Sequence, residues 1–450
     1  MPADASYIPS AKSASFPVRA GNVVRPLVDG VPAFRRICEA VEAARHRVWA
    51  TIAFVDRTVE LPDGRGTLFD VLDRAVARGL EVRVVFWREP EIDPGPPGWE
   101  HFPGNPSERA WLAERGSRFL ARWDHQPRGC QHQKSWIVDA GEVGEVAFVG
   151  GINFDRMSVV DRGHLSPEPR EHYHDVYVEL RGPVASDVHR NFVLRWNGAT
   201  ERGREDGVWP PGGASEDLAA PSRVTPACGS VSVQLLRTLR QSSHAEVPDG
   251  ERSVLEQYVN AIDAARRWIY VENQFFASPV LFERFDAALR RGVEVVAVLP
   301  RSPLPQVRQA RQNPKSAHLF EALAALGSHE RFTLAGLVVM DAPGVYRDVY
   351  VHAKMAIVDD VWATVGSANL DGGSLERNTE LNATWWDAGV AGGLRKDLFA
   401  EHLGDDGAAS DGDVALRRFR EAAATNVQRV ACGQPPIGLV VAIDPARYGE

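Results

Sequence analysis

The 450-residue sequence predicts an α/β fold of two similar αβ domains, each with a mixed sheet flanked by helices. Pseudo-twofold symmetry is expected to relate the two domains, which would share one active site. Three observations support this prediction: an internal repeat, an irregular segment between its two copies, and a short motif that occurs once in each copy. Together they indicate that both halves of the chain build a single site.

The internal repeat is clearest in two pairs of segments. EAARHRVWATIAF (42–54) resembles DAARRWIYVENQF (263–275), and LFDVLDRAVARGLEVRVVF (68–86) resembles LFERFDAALRRGVEVVAVL (281–299). In the second pair, apolar residues recur at helical spacing, a glycine follows, and a β-branched run continues. Glycine suits that position because a helix C-terminus often needs a left-handed residue. Strands that alternate with helices in both halves predict two domains of mixed or parallel sheet.

A segment rich in Gly, Pro, Ser and charged residues separates the two copies and is typical of a linker (198–230). We therefore predict an N-terminal domain at 15–200, a linker at 201–228 and a C-terminal domain at 229–435. A second Pro/Gly-rich stretch (90–108) carries Trp99 and Phe102. A surface loop that packs onto its own domain is favoured there over a lip that covers the site or touches lipid.

The recurring motif has the pattern HxKxxxxD. It runs from His132 to Asp139 in the first half and from His352 to Asp359 in the second, and each copy is followed by a Gly/Asn turn, FVGGIN (148–153) or TVGSAN (364–369). The chain has only five lysines, and two of them are Lys134 and Lys354 of these motifs. Chance would produce one such motif about 0.01 times in a chain of this composition, so two copies in register with a repeat indicate function.

The spacing predicts a pocket for a phosphate group. Residues i and i+2 of a strand point to the same face, so His and Lys of each motif should project together. Two facing halves would bring two histidines, two lysines and two asparagines, Asn153 and Asn369, around one point. Lysines and amides would neutralise the phosphate oxygens, and a histidine on either side would suit in-line displacement.

The duplicated motif resembles that of the phospholipase D superfamily, and the resemblance extends from about residue 30 to 404. PREHYHDVYVELRGP (169–183), NFVLRWN (191–197), IYVENQFF (269–276) and YVHAKMAIVDD (350–360) resemble stretches of plant and other eukaryotic phospholipases D. GSANLDGGSLERNTELN (366–382) is more similar to bacterial cardiolipin synthases, although the chain has Gly373-Ser374 where that family often has Arg-Ser.

The resemblance implies catalysis through a phosphohistidine, with one histidine as nucleophile and the other as general acid and base. By this analogy His132 is the nucleophile and His352 the acid and base, although the symmetry of the sequence leaves the assignment open. The downstream carboxylates Asp175 and Glu380 are expected to hold the histidine rings. Phosphate contacts are expected from Lys134, Lys354, Asn153 and Asn369. A structural role is expected for Asp139, Asp359, Gly151, Gly366 and Ser367.

This scheme needs no cofactor and no metal. His172 and His174 form a His-x-His pair, but two histidines without a third ligand are a weak metal signal, so they are interpreted as neighbours of the pocket wall. Glu272 is interpreted in the same way. The four cysteines show no metal-ligand spacing and are interpreted as free thiols.

Composition restricts the partners. The net charge of −9 argues against a nucleic-acid surface and against strong docking on anionic lipid. The N-terminus lacks the apolar region of a signal peptide, and no stretch approaches the ~18 apolar residues of a membrane span. We expect a cytoplasmic protein in transient contact with a membrane surface, and one chain carries both motifs, as a functional monomer requires.

The expected function is a phospholipase D-type phosphodiesterase that transfers the phosphatidyl group of a glycerophospholipid to water or an alcohol. The alternatives are a cardiolipin-synthase-like phosphatidyltransferase, a nuclease, and a non-catalytic phosphate- or lipid-binding protein. A nuclease of this family commonly carries one motif and dimerises. Binding alone would not require a histidine on each side of the phosphate.

Overall fold

A computed structural model describes residues 7–89, 100–165, 171–214, 216–404 and 411–450. Trp99 lies outside these ranges. Phe102 is 1% exposed and packs against Phe86 and Trp123, so this part of the predicted loop does pack onto its own domain. None of the described helices combines the length and the apolar character that a membrane crossing requires.

The described strands are β1 (Arg19–Val28), β2 (Arg47–Ile52), β3 (Glu81–Trp87), β4 (Leu120–Asp124), β5 (Ser135–Val138), β6 (Val146–Gly150), β7 (His172–His174), β8 (Val176–Arg181), β9 (Val208–Trp209), β10 (Val231–Leu239), β11 (Glu251–Arg252), β12 (Trp268–Asn273), β13 (Phe276–Ala277), β14 (Glu294–Val298), β15 (Phe332–Ala342), β16 (Val345–Val351), β17 (Lys354–Val358), β18 (Trp362–Gly366), β19 (Leu370–Asp371), β20 (Glu380–Trp386) and β21 (Val440–Ala442). The described helices are α1 (Gly30–Ala43), α2 (Leu68–Ala77), α3 (Pro106–Arg115), α4 (Pro183–Asn197), α5 (Ser253–Ala264), α6 (Pro279–Arg290), α7 (Pro305–Gln312), α8 (Ala317–Gly327), α9 (Gly372–Glu376), α10 (Ala388–Leu403) and α11 (Gly412–Ala431).

The two halves have the same strand order, which confirms the predicted pair of similar αβ domains. In the first half the strands pair in the order β4, β3, β2, β5, β6, β8, β1. In the second half the order is β15, β14, β12, β17, β18, β20, β10. The first three strands of each series are parallel and the others are antiparallel, so each sheet is mixed.

The sheets of the two halves are continuous with each other. The last strands of the two series, β1 and β10, pair antiparallel between Arg19 and Val233 and between Asn22 and Val231. A second connection is the parallel pairing of β16 with β7, which joins Val349–Val351 to His172–His174. One hydrophobic core cluster accordingly contains residues of both halves, such as Val178 and Leu235.

The helix-to-strand units of the repeat have the predicted form. Thr67 caps α2 in a capping box with Asp70, and Ser278 caps α6 through its side chain. Gly79 and Gly292 follow these two helices with φ of 85° and 90°, a conformation that a residue with a side chain rarely adopts. Each chain reversal then leads directly into a buried strand, β3 or β14.

Part of the predicted linker is packed against the first half of the chain. β9 pairs with β4, and Trp209 is 5% exposed. The buried guanidinium of Arg122 donates to the carbonyl oxygens of Ala214 and Glu216. The predicted domain boundaries remain predictions, but this segment is held by specific hydrogen bonds.

Candidate active site

His132, Lys134 and His352 lie just before a strand and Lys354 is the first residue of one, so the two pairs do not lie within strands as expected. β5 begins at Ser135, and β17 begins at Lys354. The backbone N–H of His132 donates to the carbonyl of Thr379 (3.2 Å), and that of His352 donates to the carbonyl of His174 (2.8 Å). Each histidine is therefore hydrogen-bonded to the opposite half of the chain instead of to its own sheet.

Carboxylates hold the two histidine rings crosswise. His132 Nδ1 lies 2.9 Å from Glu380 Oε2, and His352 Nδ1 lies 2.5 Å from Asp175 Oδ2. Glu380 is the first residue of β20 and Asp175 separates β7 from β8, so each acid comes from the half that does not supply its histidine. In the described part of the chain, no residue forms a hydrogen bond with the Nε2 atom of either ring. A ring that donates its Nδ1 proton to a carboxylate presents a lone pair at Nε2.

The two motif lysines are buried and fold back onto their own motifs. Lys134 Nζ donates to the carbonyl of His132 (2.9 Å), and Lys354 Nζ donates to the carbonyl of His352 and to Gln274 Oε1, the latter at 3.0 Å. Lys134 is 2% exposed and Lys354 is 1% exposed. Charges interact strongly where so little water is present, so the two lysines are placed to neutralise a bound anion.

Burial changes the proton affinities of these groups. It lowers the pKa of Lys134 to about 8 and that of Lys354 to about 7. Burial also lowers the pKa of His132; Glu380 opposes this shift, and the two lysines add to it. The pKa of His352 is lowered well below its usual value by burial and by the positive charges of Lys354 and Lys134. Burial raises the pKa of Asp175 to about 7, although Lys354 opposes the shift. An anion in the pocket would favour the charged lysines.

The two turn asparagines line the same region. Asn153 is 7% exposed and Asn369 is 5% exposed, and the side-chain oxygen of each is buried without a hydrogen-bond partner among the described residues. Asn153 shares a small cavity with Lys134 and Phe54. Buried polar atoms without partners are costly, so these two oxygens favour a water molecule or a ligand group that can donate a hydrogen bond to them.

The motif-structural residues hold the carboxylates and the turns. A Cβ atom at Gly151 would collide with the carboxylate of Asp175, and one at Gly366 would collide with Asn382. Ser367 occupies the position equivalent to Gly151, and its hydroxyl donates to Glu380 Oε2 at 2.5 Å. The two carboxylates therefore have different neighbours, which breaks the symmetry of the site.

The motif aspartates stand away from the pocket and cap the starts of β2 and β12. Asp139 accepts from the backbone N–H groups of residues 45–47, and Asp359 accepts from those of residues 266–268. Both aspartates have φ of 54°, which turns the chain sharply after β5 and β17. This placement agrees with a bracing role.

Glu272 and the histidines of the His-x-His pair lie behind the pocket. His174 Nε2 is 2.9 Å from Glu272 Oε2, and both side chains are fully buried. Burial alone would raise the pKa of Glu272, but His174 and His402 outweigh it and hold that pKa well below its usual range. His172 is 1% exposed and His174 is fully buried, so both histidines of the pair belong to the buried layer next to the phosphate pocket.

Sequence reasoning missed several neighbours of the catalytic groups. The ring of Tyr173 stacks on that of His352 with centroids 5.3 Å apart, and Phe54 meets His132 edge-on at 6.1 Å. Gln274 binds Lys354, and Gln133 donates to the carbonyl of Glu380 across the two halves. In the sequence, Gln274 could have been recognised only as part of the segment YVENQFF, which resembles a stretch of phospholipases D. No local sequence pattern identifies the other contacts.

Comparisons with known proteins identify related families. A family described as "Cardiolipin synthase, PLD-like domain" matches residues 258–401, which include the second motif, and a family described as "Phospholipase D" matches residues 152–283. The chain is 27% identical to phospholipase D A of Dictyostelium discoideum over 81% of its own length, and 27% identical to cardiolipin synthase A of Pseudomonas entomophila over 82%. It spans 33% of the first relative and 66% of the second.

A solved structure supports the fold. The crystal structure of phosphatidylserine synthase from Haemophilus influenzae Rd KW20 superposes with a TM-score of 0.58, covering 93% of this chain and 96% of that one at 12% identity. The duplicated sheet, the two motifs in one pocket and the matched families lead to the same conclusion: the chain belongs to the phospholipase D superfamily.

Proposed function

We propose that the protein is a phospholipase D-type phosphodiesterase. It cleaves the distal phosphodiester bond of glycerophospholipids through a phosphohistidine and transfers the phosphatidyl group to water or an alcohol. The observation that carries the proposal is the crosswise pairing of two buried histidines with two carboxylates around two lysines. Such a pairing fixes the tautomer of both rings, which a nucleophile and a general acid both need.

In the first step, His132 Nε2 attacks phosphorus and the bond from phosphorus to the headgroup oxygen breaks. For this step His352 carries a proton on both ring nitrogens, which the bound anionic phosphate favours, and its Nε2 proton passes to that oxygen, so the headgroup leaves as an alcohol. In the second step, water or an acceptor alcohol attacks the phosphohistidine, His352 takes back the proton, and His132 is released. Splitting the displacement in this way lets one group act first as acid and then as base.

The lysines and asparagines supply the electrostatic part of the catalysis. Lys134 and Lys354 neutralise the non-bridging oxygens of the phosphate, and the amides of Asn153 and Asn369 donate to them. Because both lysines are held by protein contacts before substrate binds, little reorganisation of their ammonium groups is needed in the transition state. This pocket performs the charge neutralisation that a metal provides in other phosphoryl-transfer sites.

Two lines of support favour a phospholipid substrate. The relatives at 27% identity carry the names phospholipase D and cardiolipin synthase, and the two family descriptions name the same two enzymes. We propose that the protein works in the cytoplasm and contacts the membrane surface transiently, since such a substrate lies in a bilayer.

The test uses purified protein, vesicles of mixed phosphatidylcholine and phosphatidylethanolamine, and a small amount of ethanol, with mass spectrometry of the lipids. Phosphatidic acid together with phosphatidylethanol is the expected result, since a phosphatidyl-enzyme can be captured by either acceptor. The His132→Ala variant is the negative control. If neither lipid product forms while DNA or an aryl phosphodiester is cleaved, the lipid substrate is wrong.

A cardiolipin-synthase-like transferase is the second candidate, supported by the match of residues 258–401 and by the relatives of that name. Adding phosphatidylglycerol to the same vesicles distinguishes the two reactions. Cardiolipin and free glycerol as the main products would favour this candidate, because one phosphatidylglycerol then acts as donor and another as acceptor.

A further inference from the structure

A second polar cluster lies behind the phosphate pocket. We call it the Asp29 cluster, and it consists of Asp29, His164, His174 and Glu401. The side chains of the first three are fully buried, and that of Glu401 is 1% exposed. One potential ligand atom from each residue lies within 4.8 Å of the others. Three of these residues come from the first half of the chain and Glu401 comes from α10 of the second.

Several atoms of the Asp29 cluster face each other without forming hydrogen bonds. His164 Nε2 lies 3.5 Å from Glu401 Oε1 and 3.7 Å from Asp29 Oδ2. Among the described residues, His164 Nε2, Asp29 Oδ2 and Glu401 Oε2 have no hydrogen-bond partner. Ligands about 2.1 Å from a tetrahedral ion lie roughly 3.4 Å apart, which is close to these separations.

The ring of His174 is oriented by a hydrogen bond to its Nε2 atom, as is usual for histidines that bind a metal through the other nitrogen. Its Nδ1 faces Asp29 Oδ1 at 2.9 Å within the cluster, while its Nε2 meets Glu272 Oε2 at 2.9 Å. Glu272 is itself fixed by the hydroxyl of Tyr270 (2.5 Å) and by His402 Nε2 (2.8 Å). A carboxylate that orients a histidine from behind is the common outer support of a metal site.

The charge balance of this region favours a cation. Asp29 and Glu401 are two carboxylates in one buried space, and His164 Nε2 faces both of them. Arg162 approaches Glu401 only at 3.8 Å and is 44% exposed. Buried negative charge without a full counter-charge is costly, and a bound divalent ion would remove that cost.

We propose that the Asp29 cluster binds one divalent transition-metal ion, with Zn²⁺ the best match to two imidazole nitrogens and two carboxylates. The ligands would be His164 Nε2, His174 Nδ1, Asp29 and Glu401, and the ion would be structural because no opening for substrate reaches it through the described residues. The proposal departs from the sequence-based expectation of no metal, because the third and fourth ligands are far from the His-x-His pair in sequence.

Such an ion would stabilise the segment that positions the general acid. His174 directly precedes Asp175, which holds His352 Nδ1, and its carbonyl accepts from the N–H of His352. The backbone N–H of Asp29 also donates to the carbonyl of Asp175 at 2.8 Å. Binding of the ion would therefore join the two halves and fix Asp175, without taking part in the chemical step.

The competing explanation is a metal-free network in which His174 is an imidazolium between Asp29 and Glu272. Burial would lower the pKa of His174, but Glu272 and Asp29 outweigh it and raise that pKa well above its usual value. The two explanations differ in protons, since a metal must displace the proton on Nδ1. Calorimetric titration of Zn²⁺ in buffers of different ionisation enthalpy measures that release.

The decisive experiment measures metal content and thermal stability of the full chain, purified without a metal-affinity tag. We expect about one ion per chain after dialysis. Protein that is unfolded and refolded in the presence of chelator should have a lower Tm. Refolding in the presence of Zn²⁺ should restore the original Tm. Glu401→Gln, which keeps the shape of the side chain, and His164→Ala should lose the ion and the Zn²⁺-dependent rise in Tm.

Two controls separate this site from other histidines. His189→Ala removes a buried histidine that pairs with Glu145 elsewhere, and His132→Ala removes one from the phosphate pocket; both should retain the ion. Metal content well below one ion per chain, together with a Tm that does not respond to Zn²⁺ during refolding, would overturn the proposal. Unchanged metal content in Glu401→Gln would overturn the ligand assignment in the same way.

Discussion

At the scale of single residues, the active site separates two tasks that the symmetric motif leaves equivalent. His132 and His352 have similar burial, but their carboxylate partners differ: Glu380 also accepts from the hydroxyl of Ser367, whereas Asp175 also accepts from the backbone N–H of Val176 and lies against Gly151. The donors around a carboxylate change how strongly it attracts the proton of its histidine. This asymmetry is a physical reason for one ring to act as nucleophile and the other as acid and base.

The assignment predicts different behaviour for the two histidine variants. His132→Ala should abolish both turnover and phosphoenzyme formation, because no nucleophile remains. His352→Ala should lose about 10²–10⁴-fold on phospholipids, but it should still form a phosphoenzyme from a p-nitrophenyl phosphodiester, whose leaving group needs no proton. Quenched-flow detection of p-nitrophenol tests both. A burst from His132→Ala but not from His352→Ala would reverse the assignment.

The lysines predict a loss of activity at alkaline pH. Burial lowers the pKa of Lys134 to about 8 and that of Lys354 to about 7, so both lose their protons as the pH rises through this range. Because protonated lysines bind the phosphate, kcat/KM should decrease above about pH 7 to 8, and kcat should decrease less, since bound substrate favours the charged form.

Measured pH profiles of the wild-type protein and Lys354→Arg test this explanation. A guanidinium keeps its charge throughout the range, so the variant should show its decrease at higher pH, whatever the height of its plateau. A flat wild-type profile far beyond pH 8 would contradict the role of the lysines.

At the scale of secondary-structure elements, the site depends on side chains that each half of the chain supplies to the motif of the other half. β20 delivers Glu380 to the first motif, and the junction of β7 and β8 delivers Asp175 to the second. The segment around Gln131 also forms a bridge with Thr379. A strand end is a rigid support, so each acid is held at a fixed distance from a ring that belongs to the other half of the chain.

This arrangement predicts that the acids act on kcat rather than on substrate binding. Asp175→Asn and Glu380→Gln keep the shape of the side chain but remove the charge that fixes the histidine tautomer. We expect kcat to decrease roughly 10²–10⁴-fold with KM changed little, as for other histidine–carboxylate pairs. Steady-state kinetics measure both constants, and Glu142→Gln, a partly exposed pair of Arg47, is a matched control. A rise in KM at unchanged kcat would refute the positioning role.

At the scale of the whole molecule, the two halves form one continuous structure around the site. β1 pairs with β10, β7 pairs with β16, and one core cluster includes residues of both halves. A half that unfolded alone would expose this shared core and would separate each histidine from its carboxylate. The halves should therefore depend on each other for stability.

We expect loss of activity and loss of native tryptophan fluorescence to follow one transition in urea. Buried tryptophans report on both halves, since Trp123 and Trp136 lie in the first and Trp268 and Trp362 in the second. Coincident curves from the two probes are the standard evidence of a cooperative transition. Activity that disappears before a separate fluorescence transition would show that the halves unfold independently.

Local features of the fold could be predicted from the sequence, whereas contacts between distant residues could not. The repeat, the helix ends at Gly79 and Gly292, and the mixed sheets were predicted because periodicity and turn chemistry are local. The strand assignment of His132 failed because its backbone bonds to Thr379, which is distant in sequence. The His-x-His pair was similarly ambiguous, since His164 and Glu401 are recognisable as neighbours only in the folded chain.

The sequence by itself determined the fold class, the family resemblance and the set of residue types in the pocket, because these depend on short patterns that occur twice. Only the tertiary structure decided which carboxylate serves which histidine, that the motif aspartates cap strands, and that a buried His/carboxylate cluster stands behind Asp175. The physical reason is that these contacts join residues far apart in the chain, and their geometry depends on how two sheets pack rather than on any local preference.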